Sequence, residues 1–167
     1  SFVRFFYNLR VIIANTRENY EDAKYWAMKT LNDPEFKNDG VMARWPTYMQ
    51  LGIIYDNLGM IDSAAYYGEK CREMMKLAKF RDLELNSWLV IGNVARKRKQ
   101  YEEALSAYRH YPELAIGMAK TYSAMGRADS ALHYGKTALE IAQRTNIPQD
   151  IMAASAFLAA EYEKTSP

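Results

Sequence analysis

The chain has 167 residues, of which 49% are hydrophobic and 25% charged, the make-up of a folded protein with a sizeable core rather than a disordered one. Its net charge of +2 argues against a nucleic-acid partner, which calls for a concentrated basic surface. The single cysteine excludes an intramolecular disulfide framework, and no apolar run approaches the ~18 residues needed to cross a bilayer.

The most apolar stretch, residues 1–15, is interrupted by Arg4 and Arg10 and carries no signal-peptide cleavage site, so it reads as a first helix over 2–15. A second follows over 20–31. Asn19 marks its start, and Glu21 and Asp22 complement the helix dipole. Asn-Asp-Pro and Asn-Asp-Gly then break the chain into a loop over 32–40. The third helix, 45–58, opens near Pro46, which a first turn tolerates, and Gly59 ends it. Asp62 is placed as the cap of a long fourth helix reaching about Phe80. The fifth and sixth helices form a hairpin over 88–108 with a tight turn near Lys99. Trp88, Gly92, Tyr101, Ala104 and Tyr108 fall on its touching surfaces, where Gly92 lets the sixth helix approach and Ala104 faces it. Pro112 starts a seventh helix that ends at Gly126, Asp129 opens an eighth to about Arg144, and Pro148 introduces a ninth. Most of the 5 Pro and 8 Gly sit at these starts and stops, and nine helices with short turns leave no room for a sheet. The expected class is all-α.

These helices pair. The small residue of each second helix is Ala23, Ala64, Ala104 or Ala131, at spacings of 41, 40 and 27, within the related segments ENYEDA, GMIDSA, KQYEEA and GRADSA. Self-similarity at this scale marks a solenoid, in which each unit buries its face against the next.

The residues resemble the tetratricopeptide repeat, a helix–turn–helix unit of about 34 residues. Tyr48, Leu51, Gly52, Tyr55, Gly59 and Ala64 match its small and aromatic positions in one unit, and Trp88, Ile91, Gly92, Tyr101, Ala104 and Tyr108 in the next. Met118, Ala119, Tyr122, Gly126, Ala131 and Ala138 match in a third. The N-terminal unit is degenerate: Tyr20, Ala23 and Ala27 fit, but Val11 stands where glycine is expected. The resemblance covers essentially the whole chain as one repeat domain, with units 2–31, 45–80, 85–110, 112–144 and an incomplete 148–167. It implies a right-handed superhelix of antiparallel helix pairs. Two spacings exceed the usual length and one is short, because His110-Tyr111-Pro112 cuts the sixth helix, which should bend the superhelix locally. Uneven repeats with segments such as DSALHYGKTALEIAQ are similar to the repeat regions of bacterial sensor and regulatory proteins. Residues 155–167 read as a first helix without its partner. Phe157, Leu158 and Tyr162 are expected to be uncovered and the polypeptide to continue beyond Pro167.

Enzyme chemistry finds no motif: G-x-x-x-x-G-K-[ST], G-x-G-x-x-G and H-E-x-x-H are all absent from the sequence. With His110, His133 and one Cys, a metal site would be mostly carboxylate, and no Asp/Glu cluster has ligand-like spacing. Cys71, on an apolar face beside Ala64, reads as a buried inert thiol. His133 reads as a solvated or packing residue, and His110 lies at a helix end where unsatisfied carbonyls can meet it. The run Arg96-Lys97-Arg98-Lys99 offsets the dipole at the end of the fifth helix. Tyr48, Tyr55, Tyr101, Tyr108 and Tyr122 fall on packing positions, so the 13 tyrosines and 9 methionines read mostly as core.

In the resembled family the concave face is built from the first helix of each pair. Carried onto this chain, that face displays Asn8 and Asn15, then Met49, Ile53, Asp56 and Asn57, then Leu89, Asn93, Arg96 and Lys97, then Ile116 and Lys120. Asn57, Asn93, Arg96, Lys97 and Lys120 offer donors to peptide backbone or a carboxylate, and Met49, Ile53, Leu89 and Ile116 seat apolar side chains. The expectation is a non-catalytic protein- or peptide-binding scaffold with no cofactor, metal, nucleic acid or membrane insertion. It would be the regulatory region of a bacterial signalling protein, periplasmic if that protein is a membrane-bound sensor and otherwise cytoplasmic. The alternatives are a self-associating structural module (a homo-oligomer) and the domain of a peptide-responsive transcriptional regulator.

Overall fold

A computed structural model describes residues 2–37 and 39–165; Asn38 of the expected loop and Ser166 and Pro167 of the expected last helix lie outside the described residues, as does Ser1. The described residues form an all-α helical repeat with no strand. The helices are α1 (Phe2–Thr16), α2 (Tyr20–Asn32), the one-turn α3 (Pro34–Lys37), α4 (Trp45–Asn57), α5 (Ile61–Leu77), α6 (Arg81–Lys97), α7 (Tyr101–Tyr108), α8 (Ala115–Ala124), α9 (Ala128–Thr145) and α10 (Pro148–Thr165). Short 3-10 turns, Val41–Arg44 and Pro112–Leu114, lead into α4 and α8.

Several boundaries differ from the sequence expectation. The loop carries α3, because the Asp33 carboxylate accepts the Glu35 amide at 2.9 Å and caps a single turn. The fourth expected helix stops at Leu77, where Ala78 turns extended (φ −154°, ψ 163°), and the next already begins at Arg81. Asp62 is not a cap, and Asp129 stands second in its helix. The cap residues are Met60 and Arg127, which make no side-chain cap bond, and both acids lie in the first turn, where they act on the dipole alone. Asn19 does cap α2, accepting from the Asp22 amide at 3.3 Å.

The four turns inside the helix pairs are copies of one another. A residue with positive φ stands at Glu18 (56°), Gly59 (72°), Lys99 (62°) and Gly126 (73°). The residue after it donates its amide five residues back, Asn19 to Ala14, Met60 to Tyr55, Gln100 to Ala95 and Arg127 to Tyr122, each at 2.9 Å. This bond closes the preceding helix in the Schellman manner. The same four residues then accept from Ala23, Ala64, Ala104 and Ala131, which are all fully buried. A left-handed residue, a closing bond and a buried alanine therefore recur at the spacing of the sequence repeat.

Two compact units, residues 1–94 and 95–167, divide inside α6. In the first, α1 packs on α2, α2 on α4 and α4 on α5. Val11, Ala14, Ala23, Ala27, Leu51, Ile54 and Tyr67 make its core. Gly52 lets α4 close on α6: a Cβ there would stand 2.8 Å from Val90 Cγ1. Trp45, wholly buried, donates its indole N–H to Ser87 Oγ at 2.9 Å, and Ser87 donates to the Leu83 carbonyl at 2.6 Å. Cys71 is also wholly buried, and burial pushes its thiol up to about 11 against the smaller opposing effect of a hydrogen bond with Ser87.

In the second unit α7 packs on α8, α8 on α9 and α9 on α10. The closest approach is Gly117 against the buried Tyr108 ring, where a Cβ would overlap the ring itself. Gly135 does the same for Leu158 and Phe157 of α10, at 2.8 and 3.0 Å from a built Cβ. That contact corrects the expectation of an uncovered C-terminal face: Leu158 is buried and Phe157 half-buried on α9, and of the three only Tyr162 is exposed, with Lys136 over its ring. Glu161, also buried, ties α10 to α8 by accepting from Ser123 and, at 2.5 Å, from Lys164. Burial raises its pKa, but the Lys164 and Ser123 hydrogen bonds and the Lys164 charge together outweigh that and leave it below the usual carboxylate value.

Candidate ligand-binding site

The expected site residues divide between the units. In the first, Met49, Ile53 and Asn57 follow one another at four-residue intervals along α4, the first two half-buried and Asn57 exposed. Leu89 and Asn93 stand four apart on α6, both half-buried. The two helices are joined across this face by Asn93, whose amide donates to the buried Asp56 carboxylate at 2.8 Å. Asn57 donates to its own helix, at the Ile53 carbonyl, 3.0 Å away. Both amides expected to serve a ligand thus already serve the protein. Asn93 is the better positioned of the two, because Asp56 fixes its orientation. Asn8 and Asn15 are half-buried on α1.

In the second unit Arg96 and Lys97 occupy the last turn of α6, Arg96 half-buried and Lys97 exposed, as cations offsetting a C-terminal dipole should be. Ile116 packs against the core of Ala115, Ala138 and Ala154, and Lys120, four residues on, is exposed. His110 caps the end of α7, its Nδ1 3.0 Å from the Ser106 carbonyl and 3.1 Å from that of Ala107. His133 is exposed, in edge contact with Tyr134.

A second region escaped the sequence reading. The first unit contains two cavities of about 380 and 400 Å³. Leu31, Asn32, Arg44, Tyr48, Tyr66 and Tyr67 line one; Asn32 also borders the other, with Tyr7, Tyr25, Met28, Lys29 and Asp33. The tyrosines between α4 and α5 brace one another. Tyr55 stacks on Tyr67 at 5.6 Å and 6°, Tyr66 meets Tyr67 edge-on at 5.1 Å, and Tyr48 lies 6.1 Å from it. The Tyr67 hydroxyl donates to Met28 Sδ at 3.6 Å. Burial, with smaller contributions from Tyr55, Tyr66 and Tyr48, pushes its pKa up to about 12. Lys29 lies over the rings of Tyr25 (5.0 Å), Trp26 (5.5 Å) and Tyr7 (5.9 Å), and its hydrogen bond with Tyr25 raises its pKa.

A signal for this region was present in the sequence. Tyr25 and Lys29 on α2 recur as Tyr66 and Lys70 on α5, 41 residues later, and Lys70 again lies over its tyrosine, 5.8 Å from the ring centre. No protein-family model matches the chain, and no curated protein matches it. No helix among the described residues is long and apolar enough to cross a membrane.

Proposed function

We propose that the chain is a non-catalytic protein- or peptide-binding scaffold of tetratricopeptide kind, serving as the regulatory region of a bacterial signalling protein. The observation that carries this reading is the face shared by α4 and α6. Half-buried Met49, Ile53 and Leu89 supply apolar area there, and the Asn93 amide is held in place by Asp56. Preorganised polar groups beside apolar seats suit a peptide, because less ordering entropy is lost on binding. The copied turns favour the family reading, since a shared turn sets one geometry for every helix pair. The test is a displayed-peptide selection against the whole chain. Peptides that use this face are expected to lose about ten-fold in affinity, some 1.4 kcal/mol, with Asn93→Ala. Selected peptides indifferent to Asn93→Ala would refute the reading.

A structural role by self-association is the second reading, favoured by α1. Phe2, Phe5, Leu9 and Ile12 recur at intervals of three, four and three and are all exposed, Phe2 by 84%. That spacing is the seam on which helices pair. Sedimentation over a range of concentrations checks it: the mass should rise with concentration, and Phe5→Ser with Leu9→Ser should abolish the rise.

A further inference from the structure

We propose that the two adjoining cavities of the first unit form a tandem docking site for an acidic peptide in extended form, separate from the α4–α6 face. The cavities share one repeated feature. Each is walled by the tyrosine of a Tyr-x-x-x-Lys pair on a second helix, Tyr25 on α2 and Tyr66 on α5, and Asn32 borders both. Tandem pockets of like size at a repeat spacing suit a ligand that is itself a linear chain. The volumes, about 380 and 400 Å³, hold one or two side chains each, at the lower end of the range for ligand pockets.

Each cavity carries a cation, accompanied in the second by Asp33. Arg44 places a guanidinium at the first cavity, and Lys29 gives the second a cation resting on three rings. Tyr48, Tyr66 and Tyr67 add hydroxyls, and Asn32 adds an amide that can donate to and accept from a peptide backbone. Tyrosine and arginine are also the side chains that dominate binding energy at protein surfaces. The Tyr67 hydroxyl, with its raised pKa, stays protonated at neutral pH.

The same aromatics and cations would also suit a single strand of nucleic acid, but two features favour peptide. The Tyr67 face is taken by Tyr55 in a parallel stack, so it is closed to a base. Asp33 borders the second cavity, where a backbone charged at every residue must meet it and a peptide with separated acidic positions need not.

Fluorescence anisotropy of the whole chain tests this with three labelled probes of equal length: alternating Glu and Tyr, alternating Lys and Tyr, and oligothymidine. The Glu-Tyr probe should bind about ten-fold more tightly than either of the others and weaken between about 50 and 300 mM NaCl, as screened charge pairs do. Arg44→Gln and Lys29→Gln should each cost about five-fold, and Tyr66→Ala should weaken binding similarly. Lys29 and Tyr66 are exposed, so those two variants keep the fold and decide the matter if Arg44→Gln does not. Asn93→Ala should leave the affinity unchanged. Failure of the unaltered chain to bind the Glu-Tyr probe, equal binding of the Lys-Tyr probe, or tighter binding of oligothymidine would each overturn the proposal. Loss with Asn93→Ala and none with Lys29→Gln would overturn it too, while placing the peptide on the α4–α6 face and so supporting the function proposed above.

Discussion

The two units set different side chains against their helical glycines. In the second, a ring meets the absence of a side chain: Tyr108 lies on Gly117, and Phe157 and Leu158 lie on Gly135. In the first, aliphatic side chains do so, Val90 on Gly52 and Val90 with Ile91 on Gly68, while stacked tyrosines occur in both units, Tyr55 on Tyr67 and Tyr122 on Tyr134. A glycine lets a helix close on its neighbour, and in the first unit a cavity also lies beside Tyr48, Tyr66 and Tyr67. One turn geometry therefore supports both kinds of contact.

Glycine substitutions sharpen that contrast most. Gly117→Ala puts a methyl group into the wholly buried Tyr108 ring, which has no flexible end to give way, and should cost roughly 3 kcal/mol in chemical denaturation. Gly68→Ala is the control in the first unit. Its Cβ would meet Val90 and Ile91 at ordinary distances of 3.5 and 3.7 Å, so replacing a mid-helix glycine should stabilise by about 0.5–1 kcal/mol. Equal losses at the two positions would break the comparison.

Alkali should act next most strongly, through the first unit. Cys71 and Tyr67 are held neutral, with pKa values raised from 9.0 to about 11 and from 10.0 to about 12. Their contribution is fully present below the unfolded values. It is lost as pH rises through the folded ones, because only the unfolded chain releases these protons in between. Each group contributes on the order of 2 kcal/mol by this linkage. Cys71→Ala should flatten the decline of unfolding midpoint between pH 9 and 11, and the native thiol should resist alkylation at pH 8. Acid tests the second unit in the reverse sense. The lowered pKa of Glu161 means its contribution is present above the usual carboxylate range and lost as pH falls through the folded value. Ser123→Ala should cost about 1 kcal/mol at neutral pH and less once Glu161 is protonated.

The smallest effect concerns what both units share. Lys99 adopts the left-handed conformation that Gly59 and Gly126 occupy at the equivalent turns. Lys99→Gly removes a backbone strain of about 1–2 kcal/mol but adds unfolded-state entropy, so a net gain of a few tenths is expected in thermal melts. A net loss would show that the turn is held by the Lys99 side chain rather than by its backbone.

The helix pairs were legible in the sequence because their determinants are local. Ala23, Ala64, Ala104 and Ala131 each follow a turn residue by five positions, and that spacing survives the shortening of α7. The hydrogen bonds of the expected site amides were not legible. Asn93 and Asn57 were placed on their helices correctly, but their hydrogen bonds to Asp56 and Ile53 depend on which neighbour each amide reaches first. Phe157 and Leu158 were misjudged for a related reason: the glycine that receives them, Gly135, belongs to the preceding helix.

By itself the sequence determined the all-α class, the helix pairs and the turn positions, each written within a few residues by a left-handed turn, a buried alanine and an apolar stripe. The tertiary structure alone decided where the chain is hollow. Arg44, Tyr66 and Asn32 are brought to one cavity from three different elements. Whether two rings stack or a ring sinks onto a glycine depends on the register between helices, and no short window of sequence carries that register.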